Sequence, residues 1–196
     1  TRELVSRNPA RPDEVVGRTA LADLTAAERA LDAARTACPG WASTSPRARA
    51  ELLFQAAAVM RRRRVELAAW EVYEVGKPWR EADADVAESI DYLEDYGREM
   101  LRLGKVQRLG DVPGEVNEYL YQPRGVAVII APWNFPLAIL TGMTSAALVT
   151  GNAAIMKPAE QSTVMAWHLM TILQEAGFPA GVVNYLPGPG EEVGEY

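Results

Sequence analysis

The stretch that most constrains this chain is Val126-Ala127-Val128-Ile129-Ile130, an apolar run without alternation. A half-solvated antiparallel strand alternates apolar and polar residues, whereas an unbroken run suits a strand covered on both faces, as in a parallel sheet. From this strand onward the chain repeats a unit. A helix is expected at about Leu137–Val149, ended by Gly151, and then a short strand at Ala153–Met156. Ser162 caps a second helix that runs to Ala176 and ends at Gly177, before a strand at Val182–Leu186. Glu191 opens a third helix, which the sequence leaves at Tyr196. Strand–helix–strand–helix–strand with short connections predicts an α/β fold with a doubly wound parallel sheet. Because the pattern stops inside an element, the chain reads as truncated.

The residues before this unit, up to about Leu103, read as helices. Thr25 and Glu28 form a capping-box pattern, and an alanine-rich run continues to Ala37. Cys38-Pro39-Gly40 is expected to stop that helix, and Ser45-Pro46 to start the next, with Ser at the cap and Pro at the first helical position. Leu52, Ala56 and Met60 recur on one face, and the pattern runs on to Val75, where Gly76 terminates it. Pro78 opens another helix, with Val86, Ile90, Leu93, Gly97 and Met100 as its apolar stripe. Val116–Tyr121 is aromatic and β-prone, and Pro123-Arg124-Gly125 is a turn. The expected organisation is therefore a helical part over 1–111, a strand segment over 112–124, and the first part of the sheet domain over 125–196.

The chain carries 20 basic and 26 acidic residues, a net charge of −6, which does not suggest nucleic acid as a partner. Its one basic run, Arg61-Arg62-Arg63-Arg64, lies in a predicted helix, where the four side chains fan around the axis and form no flat patch. One cysteine, Cys38, and one histidine, His168, exclude a disulfide framework and a zinc site of the usual kind. No stretch is long and apolar enough to span a membrane, and Thr1–Val5 is no signal peptide, so the expected location is the cytoplasm.

In open α/β sheets, ligands bind at the carboxyl ends of the strands. The first strand here runs into Ala131-Pro132-Trp133-Asn134-Phe135-Pro136, and the second into Lys157-Pro158-Ala159-Glu160-Gln161-Ser162. The third runs into Gly188-Pro189-Gly190-Glu191-Glu192-Val193-Gly194. Each has a structural reading. Asn134 suits a helix cap, Trp133 suits a core, Lys157 and Glu160 suit a surface ion pair, and the glycines suit a tight turn. Each also has a ligand reading, because a lysine and a carboxylate at one strand end can meet a sugar's hydroxyls. A carboxylate there repels a 2′-phosphate.

These three loops, in this order and each directly after a strand, resemble the aldehyde dehydrogenase superfamily. The P-W-N-F-P and K-P-A-E segments are the specific ones; the G-x-G-x-x-x-G loop alone is weak, and its spacing departs from the usual dinucleotide fingerprint. The resemblance implies a Rossmann-like sheet, NAD as cofactor, and a site built from Ile130, Ala131, Pro132, Trp133, Asn134, Lys157, Ala159, Glu160, Gly190 and Gly194. It implies that the Asn134 amide donates to the aldehyde oxygen as that oxygen becomes an oxyanion. The superfamily's nucleophilic cysteine and general-base glutamate belong to motifs that this chain lacks. Cys38, between a predicted helix end and Pro39-Gly40, is assigned a structural role.

Within the superfamily, Tyr73-Glu74-Val75-Gly76-Lys77, Asp85-Val86-Ala87-Glu88-Ser89-Ile90-Asp91 and Thr141-Gly142-Met143 resemble the L-glutamate γ-semialdehyde (1-pyrroline-5-carboxylate) dehydrogenases of proline breakdown. That resemblance implies substrate contacts from Glu88, toward an α-ammonium group, and from Phe135, beside the aliphatic part. Glu88, Asp85, Asp91 and Asp95 are expected to share one acidic helix face. The superfamily also implies a homo-oligomer, with 112–124 in a bridging sheet. An aldehyde dehydrogenase for fatty or betaine aldehydes, and a non-catalytic binding or assembly fragment, are the alternatives.

Overall fold

The computed structural model describes residues 2–194. The chain opens with an antiparallel hairpin, β1 (Glu3–Arg7) and β2 (Val15–Ala20), where the sequence reading expected only helices. The signal was a proline-rich turn between two β-prone runs. Asn8 forms it: its Oδ1 accepts from the Ala10 N–H at 2.9 Å, the local bond that makes Asn a turn residue.

Four helices come next: α1 (Leu24–Ser43), α2 (Pro46–Arg62), α3 (Arg64–Val75) and α4 (Trp79–Leu103). Two details of α1 differ from expectation. Its cap is Asp23, whose side chain accepts from Ala26 N, in place of a Thr25–Glu28 box. It also runs through Pro39 to Ser43. Proline removes one intrahelical bond. The last turn is held from outside by Trp41, which is buried, donates from Nε1 to the Leu148 carbonyl at 3.0 Å and packs on Phe178. Ser45 caps α2 and Gly76, at φ 69°, closes α3, both as expected. A break at Arg63 separates α2 from α3. The four arginines fan out: Arg61 pairs with Glu94, Arg62 with Glu175, Arg63 with Glu66 and Arg64 with Asp83.

Val86, Ile90, Leu93, Gly97 and Met100 form the buried stripe of α4. Gly97 belongs there because α2 crosses close by: a Cβ on it would lie 2.5 Å from the Phe54 ring. Next comes a small hairpin, β3 (Gln107–Arg108) with β4 (Glu118–Tyr119); only β4 falls in the β-prone segment, and β3 lies ahead of residue 112 in the part expected to be helical.

The parallel sheet has the order β5 (Val126–Ala131), β6 (Ala153–Pro158), β7 (Val183–Tyr185), linked by α5 (Ala138–Val149) and α6 (Thr163–Glu175). The strand period of two sorts β6 between two cores. Ala154 and Met156 join the large core with α2, α4, α5 and α6, while Ala153 and Ile155 join a smaller one with Ala27 and Ala34 of α1. Every residue of β6 is therefore buried. The expectation of burial on both faces fails for β5, one of the sheet's two edge strands. Ile129 and Ala131 face the large core, but Val128 and Ile130 are 58% and 59% exposed. A four-residue helix, α7 (Gly190–Val193), starts the third helical segment; Glu195 and Tyr196, toward which that helix was expected to run, lie outside the described residues. None of the described helices is long and apolar enough to cross a membrane.

Candidate cofactor and substrate site

The carboxyl ends of β5, β6 and β7 lie side by side because the strands pair in register: Ala131 opposite Pro158, and Met156 opposite Tyr185. The three loops singled out in the sequence leave from this one edge. The second and third are joined directly. Glu160 Oε1 accepts from Lys157 Nζ at 2.9 Å and from the Gly190 N–H at 3.1 Å. Burial alone raises the Glu160 pKa, but the hydrogen bonds from Lys157 and backbone N–H groups outweigh it and hold the carboxyl below its usual range. Glu160 is therefore ionised at neutral pH, and it forms an ion pair with the buried Lys157.

Trp133 and Glu160 line one open cleft of about 600 Å³ together with Leu4–Arg7, Pro9, Glu74, Val75 and Gln161. A Cβ built on Gly190 meets no atom within 4 Å, so the backbone there faces open space next to the Glu160 carboxylate. Gly194 differs: a Cβ there would lie 2.5 Å from the Gly190 carbonyl, so its absence serves the tight turn. A larger cavity of about 920 Å³ lies between β2, α1, α6 and β7, but its lining contains none of the residues at the three loops. Chemistry, and not volume, picks out the smaller cleft.

Asn134 is exposed, and the cap position of α5 is Leu137, with no side-chain cap bond. The helix-cap alternative for Asn134 thus has no support in the geometry. Its backbone carbonyl accepts from Lys77 Nζ at 3.1 Å, and the same Nζ stands 4.0 Å from the centre of the Phe135 ring. In the sequence Lys77 stood out only as the last residue of the Tyr73–Lys77 segment, with no role of its own. It is buried with Glu71 and Asp85, at 4.0 and 3.6 Å from their carboxylates. Asp85 in turn accepts from the Leu137 N–H at 3.3 Å. Burial, then the neighbouring Asp85, pushes the Glu71 carboxyl far above the usual range, so Glu71 stays protonated, and Asp85 is the nearer carboxyl to Lys77.

The signal for these residues was present in the sequence. Glu71 follows Leu67 by four positions and Asp85 follows Ala82 by three, which puts both acids on apolar stripes. The expected acidic face of α4 needs correction for the same reason: Asp85 turns inward, and Glu88, Asp91 and Asp95 remain outside. Glu88 accepts from Tyr92 Oη at 3.1 Å and lines a shallow depression with Asp91, Tyr92, Asp95, Tyr96 and Arg98. Phe135 is not part of that lining.

In the wall of the cleft, Glu74 at the end of α3 supplies the cap bonds of α6; Ser162 holds the N-cap position, as expected, but makes no side-chain cap bond. The two Glu74 carboxylate oxygens accept from Val164 N at 2.8 Å and Met165 N at 2.7 Å, and Ser6 Oγ adds a longer bond. Burial outweighs these bonds and pushes the Glu74 pKa up to about 7. Cys38 Sγ donates to the Gly125 carbonyl at 3.2 Å, at the opposite end of β5 from the cleft.

Helices on both faces of a parallel sheet, with the three loops leaving its carboxyl edge, make an architecture common among nucleotide-cofactor domains. The chain belongs to the aldehyde dehydrogenase family, which it matches over residues 1–196. It is 54% identical over 194 residues to the 1-pyrroline-5-carboxylate dehydrogenase of Geobacillus kaustophilus, covering 99% of this chain and 38% of that protein. The crystal structure of the 1-pyrroline-5-carboxylate dehydrogenase from Thermus with bound NAD superimposes with a TM-score of 0.97 at 52% identity, over 100% of this chain and 38% of that one. Proline utilization A from Bdellovibrio bacteriovorus gives the same score and identity over 20% of its length. The chain thus spans about two fifths of the length of the dehydrogenases it matches.

Proposed function

We propose that this chain forms part of an NAD-dependent dehydrogenase that oxidises L-glutamate γ-semialdehyde to glutamate in proline breakdown. The observation that carries the reading is the Glu160 carboxylate, which joins the Lys157 and Gly190 loops at the edge where Asn134 emerges. Its support comes also from relatives above 50% identity that share one activity name. Lys157, Glu160 and the open backbone at Gly190 fit the ribose side of NAD, and Ile130–Trp133 fit the path toward the reacting end. NAD, when bound, takes up the hydride. Asn134 donates its side-chain N–H to the aldehyde oxygen as negative charge grows there. Glu88 and Phe135 contact the ammonium group and the aliphatic part of the substrate. The catalytic cysteine and general-base glutamate belong to motifs this chain lacks, so the chain alone oxidises no aldehyde. Residues 112–124 take part in oligomer contacts, and the enzyme works in the cytoplasm.

The test is Asn134→Ala in the full-length enzyme. Turnover should fall by roughly two to three powers of ten, because one oxyanion donor is worth about 3 kcal/mol of barrier. NAD affinity should change far less, since the amide acts on developing charge. Weak NAD binding with normal turnover would show that Asn134 serves the cofactor loop and not the reaction.

A further inference from the structure

The buried trio Lys77, Glu71 and Asp85 calls for an explanation other than stability. The three are 8%, 0% and 1% exposed and come from the α3–α4 connection, α3 and α4. Desolvating such groups offsets most of what their attraction contributes, so a buried ion pair is a poor stabiliser. What this one does is grip. Lys77 Nζ holds the carbonyl of Asn134, and Asp85 Oδ2 holds the N–H of Leu137. The two side chains, 3.6 Å apart, thereby pin both ends of Asn134–Leu137, the last four of the six residues between β5 and α5. Its links into α5 come from the Phe135 and Leu137 carbonyls, which accept from Ile139 and Thr141, while the Asn134 carbonyl is held by Lys77.

We infer that Lys77, with Asp85 as its anchor, is a positioning residue that sets where the Asn134 amide points. The inference rests on the role proposed above for Asn134. Catalytic hydrogen bonds require placement to well under an ångström, and a displacement of about 1 Å costs about a hundredfold in rate. Glu71, protonated, fills the remaining space beside Lys77 without adding a second negative charge. The Lys77 ammonium also sits on the Phe135 ring, so one buried cation orients both Asn134 and its neighbour.

The experiment is a double-mutant cycle of Lys77→Met and Asn134→Ala in the full-length enzyme, read by turnover with glutamate semialdehyde and by NAD affinity. Methionine keeps the apolar stem and removes the charge. Lys77→Met alone should lower kcat by about ten- to a hundredfold and leave the NAD Kd nearly unchanged. Added to Asn134→Ala, it should lower kcat by less than about twofold, because the group it positions is gone. Multiplying effects would overturn the positioning role while leaving Asn134 in its own. If Asn134→Ala leaves turnover intact, the role of Asn134 fails, and that of Lys77 with it. Should Lys77→Met fail to fold, Asp85→Asn enters the same cycle, since it keeps an acceptor for Leu137 and removes the anchor's charge. The same non-additivity is expected, and its absence overturns the inference.

Discussion

Replacing Glu160 with glutamine tests the cofactor side of the site with little change of shape. The carboxylate uses one oxygen for both Lys157 and the Gly190 N–H, which leaves the other for a ligand. An amide oxygen can still accept, but as a neutral partner. Hydrogen bonds to charged groups exceed neutral ones by about 1 kcal/mol, so NAD should bind about fivefold to tenfold more weakly. NADP should move the other way. Two unit charges about 4 Å apart repel by about 4 kcal/mol at an effective dielectric of 20. The Glu160 side chain is 37% exposed, so screening reduces this to about 1–2 kcal/mol, or roughly a tenfold gain for NADP. The ratio of the two affinities should shift by roughly fifty- to a hundredfold. Titration calorimetry with both cofactors at one ionic strength and pH 7, where Glu160 is ionised, reads it directly. If both cofactors weaken equally, Glu160 only holds its two loops together, and the discrimination argument is refuted.

Three further outcomes are expected. Glu88→Ala should raise KM for glutamate semialdehyde and leave simple aliphatic aldehydes almost untouched; equal effects would reduce Glu88 to a support for Tyr92, its hydrogen-bond donor. Glu74→Gln should flatten one part of the stability–pH profile. Below its ordinary value of 4.5, Glu74 is protonated whether folded or unfolded; up to about 7 the folded chain alone keeps the proton, so stability from this group falls as pH rises through that window. The fall amounts to about 3 kcal/mol, and it should be seen as a pH-dependent difference between wild type and variant in urea unfolding; a pH-independent difference would contradict it. Finally, Tyr119, Leu120 and Tyr121 are exposed around the two-residue strands of β3–β4, a hairpin too short to stand alone. Light scattering on the full-length enzyme should give a dimer or larger, and a monomer at micromolar concentration would remove the proposed oligomer contact.

How far the sequence revealed the fold depended on the range of the interactions. The β5–α5–β6–α6–β7 unit was legible because each element carries its own periodicity and terminator: Gly151 and Gly177 take positive φ just where the helices were expected to end. Strand edges are set by neighbours, so the exposure of Val128 and Ile130 was not legible from a run that looks equally apolar throughout. Pro39 was misjudged because local chemistry says stop, while Trp41, two residues on, anchors the last turn to α5 through a bond spanning 107 residues. Ser162 holds the N-cap position of α6 as expected, but the capping oxygens come from Glu74, some 90 residues earlier.

The site divides along the same line. Lys157 and Glu160 lie three residues apart, so one strand end presents both, and the loop sequence alone brought them together. Lys77 and Asn134 lie 57 residues apart, and nothing local links them. The trace that long-range contact leaves in a sequence is a charged residue standing where the helical period demands an apolar one. Glu71 and Glu74 after Leu67, and Asp85 before Val86, are such positions, and all three are buried. A buried acid must find a partner to offset its desolvation, whether that partner is a cation, a backbone N–H or its own proton. Here each solution occurs once: Asp85 takes Lys77, Glu74 takes the start of α6, and Glu71 keeps its proton. The first two fix backbone directly beside or behind the strand-end cleft, so acids on apolar stripes mark the scaffold of the site, while the exposed loop residues mark its chemistry.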